Sequence, residues 1–185
     1  MRVFIAIQIP EQVKLCVGRI RESLRPSGAD IKWVEDDNYH ITLKFLGEVD
    51  QKEIVGISQE LAKAAKEIKA FNLALSQPGA FPNLKQPRVL FLGLSGQLGP
   101  ARELGQRIDM GLQDLGFKPD YKRHFHLTLG RFRSHRKLQD LLSILDNLPP
   151  IDNRPFPVRE FYLMESRLSR KGPEYLILDR MKLAD

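Results

Sequence analysis

Apolar and polar positions alternate along residues 2–9, with Val3, Ile5, Ile7 and Ile9 on one side, and that period predicts a strand. Beyond Pro10 the period lengthens. Val13, Cys16, Val17, Ile20 and Leu24 recur at helical spacing and predict a helix over 11–24, which Pro26-Ser27-Gly28 ends. Residues 31–34 predict a short strand that carries the single Trp33. A strand that opens at His40 closes at Gly47. Asp50 and Glu53 then form a capping-box pattern for a second helix, buried through Ile54, Ile57, Leu61 and Ile68. Strands at 71–75 and 89–94 flank a Pro- and Gly-rich loop over 78–87. A third helix starts at Gly99-Pro100, aligns Leu104, Ile108, Leu112 and Leu115, and stops at Gly116. The segment 118–124 is basic and loop-like, and a strand covers 125–132. Ser134 is the expected cap of a fourth helix, buried through Leu138, Leu141, Leu142 and Leu145 and ended by Pro149-Pro150. Residues 156–168 and 175–183 predict a closing hairpin around Lys171-Gly172-Pro173. This mixture of helices and hairpins predicts an α+β fold with antiparallel sheets.

One pattern occurs twice. The strand at His40 reads His40-Ile41-Thr42-Leu43-Lys44-Phe45-Leu46-Gly47, and the later one reads His126-Leu127-Thr128-Leu129-Gly130-Arg131-Phe132. On a strand, residues i and i+2 share a face. His40 and Thr42 therefore point one way while Ile41, Leu43 and Phe45 point the other. His126 and Thr128 oppose Leu127 and Leu129 in the same manner. A single His-x-Thr on a strand means little, because both residues occur on half-buried sheets. Two copies, 86 residues apart and each followed by Leu, point to chemistry. Imidazole titrates near neutrality, so one histidine can accept a proton while the other donates one. A threonine hydroxyl can donate to a phosphoryl oxygen. Two such pairs face to face would hold a phosphodiester between a base and an acid, with no metal and no cofactor.

Composition adds limits. The 185 residues suit one domain or two small lobes sharing a core, and 42% apolar with 28% charged residues is ordinary for a globular chain. No apolar run reaches the ~20 residues of a membrane span, and the N-terminus does not read as a signal peptide. A single cysteine excludes an internal disulfide and suits a reducing cytoplasm. The net charge of +6 fits a polyanion such as RNA, although a mildly basic surface without meaning gives the same number.

The paired motifs resemble the two-histidine phosphoesterase superfamily, and within it the RNA 2′,3′-cyclic phosphodiesterases, also known as 2′-5′ RNA ligases (LigT/ThpR-like). The resemblance runs nearly end to end. It includes Arg2-Val3-Phe4-Ile5-Ala6-Ile7, Trp33 before the first motif, Phe81-Pro82 followed by Pro87-Arg88-Val89, and a late Ser166 with Tyr175. Where the family usually has Pro before the second motif histidine, this chain has Phe125. The resemblance implies two pseudo-symmetric lobes within one domain over 1–185, one motif per lobe by internal duplication. Each lobe would be an antiparallel sheet with helices outside and the groove between. It also implies that His40 donates the proton, that His126 accepts one, and that the product is a 2′-phosphate. Thr42 and Thr128 would hold the non-bridging oxygens. With a 5′-hydroxyl strand, reversible 2′-5′ ligation is the further activity that the resemblance implies.

Other residues carry weaker expectations. In a regular strand Arg131 shares a face with Leu129, but a bend at Gly130 would bring it to the phosphate or the base. Lys44 falls on the motif side by parity and is a candidate phosphate contact. Lys122 and Arg123 are candidates for the RNA backbone. His124 is expected near the groove rim, His135 in solvent, and Cys16 in the core. Trp33 suits the core or a stack on a base. His40, His124 and His126 could suggest zinc, which in catalytic sites takes three protein ligands. No carboxylate or cysteine lies close in sequence to complete such a set, and the threonines would go unexplained. The expected partner is RNA ending in a 2′,3′-cyclic phosphate, tRNA fragments included. A cytoplasmic monomer that binds no membrane is expected. The alternatives are an esterase for a small cyclic nucleotide or ADP-ribose cyclic phosphate, and a non-catalytic RNA-binding module.

Overall fold

The computed structural model describes residues 1–170 and 172–185; the expected turn residue Lys171 lies outside the described residues. In chain order the elements are β1 (Arg2–Gln8), α1 (Glu11–Leu24), β2 (Ile31–Trp33), β3 (His40–Glu48), α2 (Ile54–Lys66), β4 (Phe71–Phe81) and β5 (Val89–Gly96). Then come α3 (Leu98–Gln113), β6 (His126–Phe132), α4 (Leu138–Asp146), β7 (Phe156–Val158), β8 (Glu160–Ser169) and β9 (Gly172–Lys182).

The strands form one curled antiparallel sheet in the order β7-β4-β5-β6-β3-β1-β8-β9, with β2 paired to β6. The two motif strands are neighbours at its centre. They share a single residue pair, Ile41 with Leu127, before they diverge. The groups β3-β1-β8-β9 and β7-β4-β5-β6 are thus two sheets joined at a thin seam. The face opposite the histidines carries the core: Val3, Ile5 and Ile7 of β1, Tyr39, Ile41 and Leu43, and Phe125, Leu127 and Leu129 are all buried there. The helices cover this face through Val17, Leu24, Ile57, Leu61, Leu104, Ile108 and Leu141. α2 packs on α3, and α1 packs on α4. Each large aliphatic side chain buried in this way contributes about 1.5–3 kcal/mol. Phe125, standing where the family usually has Pro, supplies a ring to that core.

The structure departs from the expected elements at β4, in the closing strands, before α4, and at Leu115, which lies past the end of α3 and is exposed rather than part of its buried stripe. β4 runs six residues past the expected strand, because an irregularity between Leu75 and Pro78 lets Pro78 pair with Leu92. The expected strand 156–168 is two strands serving different halves of the sheet: β7 pairs with β4, and β8 pairs with β1. Ser134 does not cap α4. Its hydroxyl donates to Asp30 Oδ2 at 2.7 Å, and Lys137 in the left-handed region (φ 61°) precedes the helix instead. The Asp50–Glu53 capping box is present, with the Asp50 N–H donating to the Glu53 carboxylate at 2.8 Å.

Candidate active site

The concave face of the sheet holds a groove of about 600 Å³. His40, Thr42, His126, Thr128 and Arg131 line it, together with Arg2, Phe4, Trp33, Phe45, Phe81, Ser166 and Tyr175. Parity alone places the four motif side chains there, because the leucines and isoleucine between them are drawn into the core.

Each histidine is fixed in the same way. His40 Nδ1 lies 2.7 Å from the Asn38 carbonyl oxygen, and His126 Nδ1 lies 2.7 Å from that of His124. A carbonyl only accepts, so Nδ1 carries the proton in both rings and the Nε2 lone pair is the free one. Thr42 donates to His40 Nε2 at 3.1 Å. Among the described residues none hydrogen-bonds His126 Nε2. Both rings sit among aromatics. His40 lies 5.0 Å from Phe4 and 5.1 Å from Tyr175, centroid to centroid. His126 lies 5.0 Å from Phe81 and 5.3 Å from Phe91. Burial lowers both pKa values below the ordinary imidazole value, and the positive charge of Arg131 lowers both further. Arg131 is therefore electrostatically close to both histidines. Burial also raises the Tyr175 phenol, against the opposing pull of Arg131 and Arg2.

Each motif ends in a β-bulge. In β3, Ile5 pairs with Lys44 and Ala6 with Thr42, which leaves Leu43 as the extra residue. In β6, Leu90 pairs with Gly130 and Phe91 with Thr128, which leaves Leu129 as the extra residue. A bulge of this kind reverses the alternation beyond it. Arg131 is thereby turned into the groove, as a bend at Gly130 would require. Phe45 is turned in as well, against the parity expectation. The same reversal corrects Lys44. Its side chain is buried on the helix side, 2.6 Å from Asp109 Oδ1 and 2.6 Å from the Lys118 carbonyl oxygen. Arg123 is likewise no groove residue. Its guanidinium is buried, donating to the Leu43 carbonyl at 2.8 Å and to Asp109 Oδ2 at 2.8 Å. Neither cation is available to a phosphate in the groove.

Of the remaining candidates, Trp33 is half-buried at the groove wall. His124 is exposed beside Phe81 and Phe91, and Lys122 is exposed. His135 is exposed, with Nε2 3.1 Å from the Pro87 carbonyl oxygen. Cys16 is half-buried and its thiol pKa is raised, chiefly by that burial. Ser166 and Tyr175, named through the resemblance, pair across β8 and β9, and Ser166 pairs with Arg2 of β1. The sequence reading missed Arg2, Phe4, Phe45 and Phe91 as groove or ring-packing residues. The signal for Phe4 was its position on the supposedly polar face of β1, where it heads a small apolar cluster with Ala6, Tyr162 and Met164. Among the described residues no three His, Cys, Asp or Glu side chains come together to hold a metal, and no helix is long and apolar enough to cross a membrane.

A curled antiparallel sheet with two inward imidazole–hydroxyl pairs defines a two-histidine phosphoesterase. The description of the LigT-like phosphoesterases matches residues 7–91 and again 92–175, and the chain belongs to that family. An RNA 2′,3′-cyclic phosphodiesterase of Aeropyrum pernix is 34% identical over 169 residues, covering 91% of this chain and 95% of the relative. One of Archaeoglobus fulgidus is 34% identical over 176 residues, covering 95% and 96%. Among solved structures, Escherichia coli LigT in complex with 3′-AMP superposes with a TM-score of 0.81 at 26% identity, over 100% of this chain and 98% of that one.

Proposed function

We propose that this protein is an RNA 2′,3′-cyclic phosphodiesterase that opens the terminal ring to a 2′-phosphate without a metal. The observation that carries the reading is the matched pair of imidazoles, each pinned through Nδ1 with Nε2 on the groove side. His126 accepts the proton of a water, because its Nε2 has no partner among the described residues and its lowered pKa keeps it neutral near pH 7. That water attacks phosphorus. The bond from phosphorus to the ribose 3′-oxygen breaks, and His40 protonates that oxygen as it leaves. His40 must be charged to do so, although burial disfavours the charge. The phosphodiester anion between the rings offsets this, since an opposite charge within a few ångströms raises an imidazole pKa. Thr42, Thr128 and Arg131 stabilise the negative charge that grows on the non-bridging oxygens. With a strand's 5′-hydroxyl in place of water, His126 takes the hydroxyl proton, His40 again protonates the departing 3′-oxygen, and a 2′-5′ bond forms; the two groups exchange roles when that bond is cleaved back to the cyclic phosphate.

The shared bulge after each motif supports an internal duplication within one domain. Both motifs lie in one chain, so no site residue has to come from a second copy, which supports a monomer. RNAs with a 2′,3′-cyclic end, tRNA fragments among them, are the proposed substrates. The free Cys16 fits the reducing cytoplasm as compartment. The test is turnover of an oligoribonucleotide with such an end, in the presence of chelator. Turnover that survives chelator and disappears in His126→Ala is expected; turnover that needs added metal would overturn the metal-free mechanism.

A further inference from the structure

We infer that Asp109 and Arg123, which neither motif contains, are positioning residues that clasp the two motif strands at their catalytic separation; this rests on the proposed two-histidine reaction. β3 and β6 share only the Ile41–Leu127 pair, so backbone pairing by itself leaves their spacing weakly defined. The clasp lies just beyond that seam, on the helix side. Asp109 of α3 accepts from Lys44 Nζ at 2.6 Å and from Arg123 Nη2 at 2.8 Å. It also accepts from the Asp120 N–H at 3.1 Å. Lys44 belongs to the bulge of the first motif. Arg123 Nε donates to the carbonyl of Leu43, the extra residue of that bulge, at 2.8 Å. Arg123 also immediately precedes His124, whose carbonyl fixes His126 Nδ1.

The sequence of contacts therefore runs from Thr42 through the bulge and Arg123 to His126. All three charged side chains are at least nine-tenths buried. Gly105, one turn before Asp109 on α3, is part of the same device. A Cβ there would lie 2.5 Å from Arg123 Nη1 and 2.8 Å from Cζ, so only glycine lets the guanidinium lie across the helix. The cluster takes two cations, Lys44 expected at the phosphate and Arg123 expected at the RNA backbone, and uses them to tie the strands together.

Two variants test the clasp. Gly105→Ala raises helix propensity, keeps every charge, and displaces Arg123. Arg123→Lys keeps a cation beside Asp109 and loses the fork that also reaches Leu43. With adenosine 2′,3′-cyclic phosphate, both are expected to unfold cooperatively and to lose about tenfold or more in kcat. A misplacement of 1 Å costs on the order of 100-fold. KM should stay within about twofold. Should Arg123→Lys fail to fold, Gly105→Ala carries the test. A merely structural role leaves kcat per folded molecule at the wild-type value, and that result overturns the clasp. If the wild type turns over no cyclic phosphate, the functional reading fails. The clasp is then judged by NMR titration of the rings: Gly105→Ala must move the His126 midpoint. An unmoved His126 midpoint overturns it.

Discussion

Replacing His40 by alanine separates the acid from the base. The ring packs against both Phe4 and Tyr175 at centroid distances of 5.0 and 5.1 Å, and its Nε2 accepts from Thr42 at 3.1 Å. Removing it forfeits aromatic contacts worth about 0.5–1.5 kcal/mol each. It also relieves the desolvation that holds the imidazole pKa down. The net loss of about 1–3 kcal/mol is well inside the 5–15 kcal/mol that holds a domain together, so the variant folds. The catalytic loss is larger. A positioned general acid contributes about 10²- to 10⁴-fold, or about 2.7–5.5 kcal/mol of barrier. The assay compares two substrates. A 2′,3′-cyclic phosphate expels a ribose oxygen that needs a proton, whereas an aryl phosphodiester such as bis(4-nitrophenyl) phosphate expels a phenolate that does not. His40→Ala should lose the full factor on the cyclic substrate and little on the aryl one. His126→Ala should lose activity on both. A His40→Ala protein that keeps more than about a tenth of wild-type turnover on the cyclic phosphate, or loses equally on both substrates, refutes the assignment.

The pH dependence has a defined sign. The profile of kcat/KM should be bell-shaped and peak on the acid side of the kcat profile, because both free rings titrate below about 6.5 and bound substrate raises them. Arg131→Ala removes a charge that depresses both rings, so both limbs should move to higher pH, with kcat/KM falling about tenfold or more. Stability obeys the same linkage. Unfolded histidines bind protons at higher pH than these folded ones, so their contribution is present above about pH 6.5 and is lost as pH falls through the folded values. The melting temperature should drop less between pH 7.5 and 5 in a His40→Gln/His126→Gln variant than in wild type. Gly130→Ala places a Cβ 2.4 Å from Ile31 Cγ2 and 3.1 Å from the Lys32 carbonyl oxygen, and urea unfolding should show a loss of about 1–3 kcal/mol.

The placement of the four motif side chains was legible because period-two parity is enforced by the core. With Ile41, Leu43, Leu127 and Leu129 buried, His40, Thr42, His126 and Thr128 have one face left. Parity then failed at Lys44 and Phe45, where the extra residue Leu43 shifts the alternation. A signal was present in the other motif. Gly130 occupies the position that matches Lys44, and glycine inside a strand marks a bulge. Carrying that bulge back to the first motif would have turned Lys44 away from the groove. The burial of Arg123 could not be read locally, because its counter-charge Asp109 lies 14 residues away on a helix. The split of 156–168 into β7 and β8 was also invisible to pattern, since both pieces are apolar and only their partners differ.

The chemistry is tested most directly by the product. An oligoribonucleotide with a 2′,3′-cyclic phosphate end, incubated with chelator-treated protein, should yield a 2′-phosphate and no 3′-phosphate, and His40→Ala and His126→Ala should each abolish it. A 3′-phosphate product would contradict the assignment of the 3′-oxygen as the group that His40 protonates. Full turnover in either single variant would contradict the two-histidine mechanism itself.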